Sequence, residues 1–337
     1  MPRWVFRGTV LPGGGTGELV SGSGGTELLP GRFALPGLVD AHCHLTMRMG
    51  DPWPELGGAD LAAERLDALA RLGVGVVRDV GGERSVTLRI GERDGWPVIR
   101  AAGRFFAPTG RYFPRAHEPV ADADLIAAVL REIDDGASWI KLVADFPLFR
   151  DGAPVPRSTA PTYGEDTVAA MIEAAHRQGA RVAAHCTTAL ASQLVAAGVD
   201  SIEHGDSLSL ADLDALGRRG GAWTPTIGAS IGYDPGTRDD DQQARSAHLR
   251  DLLPYALRAG VRILTGSDVV GSVPQEIAAL TEHGLTPTQA LTAGTEDSQT
   301  YLDVPARNIV TYEQDPRISP EILATPTAVI LRNHRVR

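Results

Sequence analysis

Along the chain, short apolar runs that end on polar residues alternate with longer segments whose apolar residues recur at helical spacing. Eight such units follow one another. Their strands are expected at 37–45 (GLVDAHCHL), 75–80 (GVVRDV), 97–103 (PVIRAAG), 138–144 (SWIKLVA), 181–187 (RVAAHCT), 201–205 (SIEHG), 222–227 (AWTPTI) and 262–268 (RILTGSD). Between them DLAAERLDALARLG, DADLIAAVLREIDDG, GEDTVAAMIEAAHRQG and ARSAHLRDLLPYALRAG carry the helical period. Each closes on a glycine, the residue best suited to the left-handed turn that ends a helix. Alternating βα units predict an α/β fold with a parallel sheet, and eight of them predict a (β/α)8 TIM barrel over residues 37–299.

The ends of the chain lack this alternation. WVFRGTVL before the barrel, and NIVTYEQD with TAVILRNHRV after it, are β-like segments without intervening helices. They predict a small composite β domain, sandwich-like, from residues 1–36 and 300–337. The Gly- and Ser-rich stretch LPGGGTGELVSGSGGTELLPG within it reads as a loop or a short hairpin.

Composition narrows the picture further. With 337 residues, 43% of them hydrophobic and 22% charged, the chain has the apolar content of a globular protein with a substantial core. A net charge of −10 disfavours nucleic acid and anionic membrane as partners, because both would be repelled by the overall field. A small molecule is the expected partner, and a homo-oligomer is compatible with the composition. Neither a long apolar span nor a secretory leader is recognisable, so the expectation is a cytoplasmic protein. Two cysteines far apart in sequence, Cys43 and Cys186, suit packed thiols and not a disulfide framework.

The candidate chemistry lies at the strand ends. Alternate side chains of a strand share a face, so His42 and His44 project together while Cys43 points the other way. Two converging imidazoles suggest a metal. Lys141 lies within the fourth strand, where an unpaired ammonium is costly and calls for a charge partner or a modification. His185, His204 and Asp268 end the fifth, sixth and eighth strands. In a TIM barrel those positions open on one mouth, which makes a shared pocket the expectation. Singly, each has an ordinary structural explanation, such as an N-cap for Asp268 or a core histidine for His185.

The order H-x-H, strand-four lysine, two single histidines and strand-eight aspartate resembles the amidohydrolase superfamily in its binuclear, carboxylated-lysine form. VRDVGG (77–82), SIEHG and LTPTQAL (285–291) add to the resemblance, which spans nearly the whole chain. It looks closest to imidazolonepropionase-related and prolidase-like members. The resemblance implies two divalent ions, zinc first among the candidates. His42, His44 and Asp268 would hold the more buried one, His185 and His204 the more exposed one, and a CO2-derived carbamate on Lys141 would bridge them. It implies hydrolysis of a C–N amide bond in a dipeptide, N-acyl amino acid or cyclic amide. In that scheme Asp268, Lys141 and His204 are catalytic: hydroxide held by the metals attacks, and Asp268 carries its proton to the leaving group.

For substrate contacts, the loops after strands three and seven offer Tyr112, His117, Tyr233 and Arg238. In similar peptidases a histidine and a tyrosine from these loops grip a carboxylate or carbonyl. The family's Gly-Gly-His-Gly pattern is replaced here by TGRYFPRAH, and the terminal-domain patterns by GELVSGSGGTELLPG and VPARNIV, with Asn308 where an aspartate is expected. Three rival readings remain. A lactonase or phosphotriesterase would use the same site. A mononuclear deaminase would need a shuttling glutamate, and strand alternation points Glu203 away from His204. A non-catalytic scaffold should lack ligands, and none is missing. His176, His248, His283 and His334 are assigned no chemistry.

Overall fold

The computed structural model describes residues 2–305 and 308–337. Eight parallel strands follow the expected order: Leu38–Cys43, Val74–Asp79, Val98–Ala101, Trp139–Val143, Arg181–Cys186, Ser201–His204, Ala222–Thr224 and Arg262–Ile263. Strands one to three pair in sequence, as do strands four to eight. The third strand breaks after Ala101 and resumes as Phe105–Phe106, which pairs with the fourth strand through Phe105 opposite Lys141. Strand eight returns to strand one through Ala41 N–H to Thr265 O at 2.8 Å and Asp268 N–H to His42 O at 2.7 Å. The sheet is thus closed into a barrel, as the alternation of elements predicts.

The helices Ala59–Arg71, Leu125–Asp134, Glu165–Arg177 and Asp240–Arg258 occupy the segments of helical period. Gly73, Gly136, Gly179 and Gly260 follow their ends with φ between +77° and +111°, the conformation the closing glycines anticipate. Their apolar faces pack on the outer face of the sheet, where Leu66, Met171, Ile172 and Leu253 are buried. Inside the barrel, Val39, Ala41, Val76, Trp139, Ala183, Ala222 and Leu264 fill the lower layer. These apolar residues, Trp139 the largest of them, close the bottom and leave a polar layer above it.

The terminal segments build one sheet in the order Gly15–Ser21, Arg3–Val10, Phe33–Leu35, Ile309–Tyr312, Ala328–Leu331, His334–Arg335, with Thr26–Leu28 also pairing with Arg3–Val10. Much of the Gly-rich stretch is therefore strand, antiparallel to Arg3–Val10 from Trp4 opposite Ser21 to Val10 opposite Gly15. Trp4, Phe6, Ile309 and Ile330 form its own apolar cluster. Asn308 accepts the Arg332 backbone N–H at 3.1 Å; Ala306 and Arg307 of the divergent VPARNIV stretch lie outside the described residues. Both cysteines are free and buried. No helix among the described residues is long and apolar enough to cross a membrane.

Candidate metal centre

His42, His44, Lys141, His185, His204 and Asp268 line one cavity of about 720 Å³ at the mouth formed by the strand ends. Strict alternation delivers Lys141 two residues above Trp139, and His185 two residues above Ala183. The other positions need departures from it. A bulge between Asp40 and Cys43 lets His42 face inward directly above the inward Ala41. His204 and Asp268 take left-handed backbone, φ +67° and +53°, which aims both side chains into the cavity. Gly266 is needed beside them, since a Cβ there would stand 2.4 Å from the His42 Cβ.

The imidazoles form a continuous cluster, with ring centroids 5.2 Å apart for His42 and His44, 5.1 Å for His42 and His204, and 4.5 Å for His185 and His204. Ligand atoms of His42, His204 and Asp268 lie within 4.8 Å of one another. The Asp268 carboxylate is 3.5 Å from His44 Nε2, and Lys141 Nζ is 3.5 Å from His42 Nε2.

Three of the rings are held by their far nitrogen. His42 Nδ1 pairs with Glu203 at 2.7 Å, His44 Nδ1 with the Gly81 carbonyl at 2.8 Å, and His204 Nδ1 with the Thr226 hydroxyl at 2.6 Å. Each Nε2 is thereby turned to the cavity. Glu203 is in turn clamped by Arg78 at 2.7 Å and by the Ser201 hydroxyl at 2.5 Å, and Arg78 donates to the Ala41 carbonyl. His185 differs: its Nε2 lies 3.9 Å from Asp145, which accepts the backbone N–H groups of Thr187 and Thr188.

Burial makes these imidazoles neutral at physiological pH. It lowers His44 to about 3 and holds His42, His185 and His204 well below the ordinary range, with the Lys141 charge pushing the same way. Burial also raises the Asp268 carboxyl and lowers the Lys141 ammonium to about 8. Lys141 is only 2% exposed, yet no carboxylate oxygen lies within 4.0 Å of its Nζ among the described residues. A buried amine without an ion-pair partner, beside neutral imidazoles with exposed lone pairs and a carboxylate, is a donor set that suits divalent metal ions.

The loop residues fall out differently. Tyr112 lines the cavity, its ring packed on Phe105, Phe113 and Phe146. His117 stands behind Tyr112 at 5.5 Å and bonds the Phe113 carbonyl through Nδ1. Tyr233 gives its hydroxyl to Glu276 at 2.7 Å. Arg238 is held by Glu282 at 3.0 Å, by Ser246 and by the Gly232 carbonyl. None of these last three lines the cavity.

Two residues beneath the site have no role assigned from the sequence. Glu203 faces into the barrel and not away, because the left-handed backbone at His204 breaks the alternation between them. Its carboxylate is fully buried under His42 and engaged on Arg78 and Ser201, out of contact with the cavity. Arg78, between Val77 and Asp79 in VVRDV, carries the same signal as Lys141: a charge in a strand with no edge to escape from.

Comparison with known proteins follows the same lines. Residues 33–306 match the amidohydrolase family. An uncharacterized protein of Mycobacterium tuberculosis (strain ATCC 25618 / H37Rv) is 33% identical over 92% of this chain and 87% of its own length, and one of Mycobacterium bovis matches equally. Among solved structures, a Xaa-Pro dipeptidase with bound methionine superposes with a TM-score of 0.80 at 20% identity, over 99% of both chains. The A. niger ochratoxinase superposes with a TM-score of 0.78 at 18% identity, covering 100% of this chain and 96% of that one.

Proposed function

The chain belongs to the amidohydrolase family and is accordingly a hydrolase acting on carbon–nitrogen bonds, and from that premise we propose a binuclear metal-dependent amidase that cleaves a dipeptide, N-acyl amino acid or cyclic amide. One observation carries this reading: neutral imidazoles, a buried lysine without an ion-pair partner among the described residues and an aspartate converge on one cavity. His42, His44 and Asp268 would hold one ion, His185 and His204 the other, with Lys141 as a carbamate between them. When bound, two divalent ions make water nucleophilic at neutral pH and polarise the scissile carbonyl.

The remaining roles fall to the chain's own groups. Asp268 carries a proton from the attacking water to the leaving amine, a task suited to a carboxyl whose pKa burial has raised. Tyr112 and its aromatic neighbours exclude water from one side of the cavity. Glu203, locked to Arg78, keeps His42 oriented. At a pKa of about 8, roughly a tenth of Lys141 is neutral at pH 7, and the neutral amine is the form that reacts with CO2. Uptake of zinc by metal-stripped protein at fixed dissolved CO2 should therefore quicken about tenfold per pH unit below about 8 and level above it.

The deciding experiment is elemental analysis of protein purified with zinc and bicarbonate, beside Lys141→Ala, with a panel of acyl amino acids and dipeptides assayed on the parent. About two ions per chain in the parent and a marked loss in the variant are expected. About one ion in both would point to a mononuclear, deaminase-like site, and none in the parent would end the metal reading.

A further inference from the structure

The cavity has two unlike walls. On one side Trp53, Tyr112, Phe113 and Phe146 form an aromatic surface, with Tyr112 and Phe146 4.9 Å apart and Phe113 and Phe146 5.0 Å apart. On the other stand Asp206, Ser207, Ser230 and, from the helix Asp240–Arg258, Arg245. Among the described residues, Arg245 is the one guanidinium that lines this cavity.

What distinguishes Arg245 is that its donors are unspent. No carboxylate oxygen lies within 4.0 Å of its nitrogens among the described residues, and its Nε is buried with no hydrogen-bond partner. Asp206 feels its charge but forms no ion pair with it, and Asp206 already accepts the Ser230 hydroxyl at 2.8 Å. Arg238, just before the same helix, also leaves its Nε without a partner, but both of its terminal nitrogens are tied, to Glu282, Ser246 and a backbone carbonyl, whereas those of Arg245 face no carboxylate. A buried donor left unsatisfied is costly, and the planar fork of a guanidinium matches a carboxylate in two parallel bonds.

We propose that Arg245 binds a free carboxylate of the substrate, so that the enzyme takes acylated amino acids or dipeptides ending in a free acid, with a bulky apolar group against the aromatic wall. This rests on the amide-hydrolase reading of the site. Arg245 is a specificity residue: it selects the acid over a neutral analogue and leaves bond cleavage to the strand-end groups.

The test is equilibrium binding to the zinc-loaded protein, by titration calorimetry, of two probes that resist hydrolysis. These are racemic N-methylsulfonyl-phenylalanine and the corresponding neutral alcohol, N-methylsulfonyl-phenylalaninol. The parent should prefer the acid by roughly 10- to 100-fold. Arg245→Gln should bring that preference within about threefold without changing the affinity for the alcohol, and Arg245→Lys should keep an intermediate preference. A parent that binds both alike, or neither, overturns the proposal, as does an Arg245→Gln that keeps the preference. Should Arg245→Gln lose both probes, Arg245→Lys decides: a retained preference supports the carboxylate site and a lost one overturns it. A parent that shows the Arg245-dependent preference yet hydrolyses no member of the acyl panel leaves this binding role standing and removes the reaction assigned to it.

Discussion

On the floor of the cavity, the rings of His42, His44 and His204 each hold a fixed partner through Nδ1, whereas around the rim His117, Tyr233 and Arg238 turn into contacts of their own. The floor is built on strand ends and the residues just past them, where pairing with neighbouring strands, a bulge and two left-handed residues fix the direction of each side chain. The rim is built on loops, where a polar residue bonds whatever the local turn offers. A polar side chain near a barrel mouth is thus informative when it sits on a strand, and nearly uninformative when it does not.

Substitutions can break or sharpen that contrast. The largest effect is expected at Asp268: Asp268→Asn should lower kcat by roughly 10²- to 10⁴-fold while metal content, read by elemental analysis, stays near that of the parent. A fully metallated, fully active Asp268→Asn would falsify the proton-shuttle role. One layer down, Glu203→Gln keeps the shape but leaves the fully buried Arg78 without its counter-charge. It should cost roughly 3–5 kcal/mol of stability and roughly 10- to 100-fold in metal affinity, measured by urea unfolding and chelator competition. Unchanged values in both would mean that the floor is less tightly held than its hydrogen bonds imply.

The smallest catalytic effect is expected on the rim. Arg238→Ala should leave kcat/KM within about twofold while lowering stability by roughly 1–3 kcal/mol through the loss of the Glu282 and Ser246 contacts. A KM raised tenfold at unchanged stability would return Arg238 to the substrate and erase the distinction between rim and floor.

The same contrast explains how far the sequence could be read. Eight strands were legible because each is a short apolar run closed by polar residues, and the helices because their period ends on glycine. Lys141 and His185 were legible because simple alternation carries them inward. Glu203 was misplaced because a single left-handed residue, His204, resets that alternation, and no composition signal marks a non-glycine residue at positive φ. Within the Gly-rich stretch the hairpin alternative is the one the structure takes, Gly15–Ser21 folding back on Arg3–Val10 across a tight turn, although glycine and serine content alone does not separate a hairpin from a loop. Arg245 sits on a regular helix, and nothing in the spacing of Asp240–Arg258 tells which of its charged residues overlooks the cavity.

The hydrogen bonds that join the eighth strand to the first bring Asp268 to His42 only at the closing seam of the barrel. A ribosome making this chain has released His42, His44 and Lys141 long before Asp268 exists. A nascent chain therefore exposes imidazoles and an amine to the cell's metals without the carboxylate that completes their company, and the full donor set assembles only when the circle shuts. On the proposed binuclear reading, metal acquisition is thereby tied to completion of the fold, and a chain truncated before Asp268 should bind fewer ions than the finished barrel.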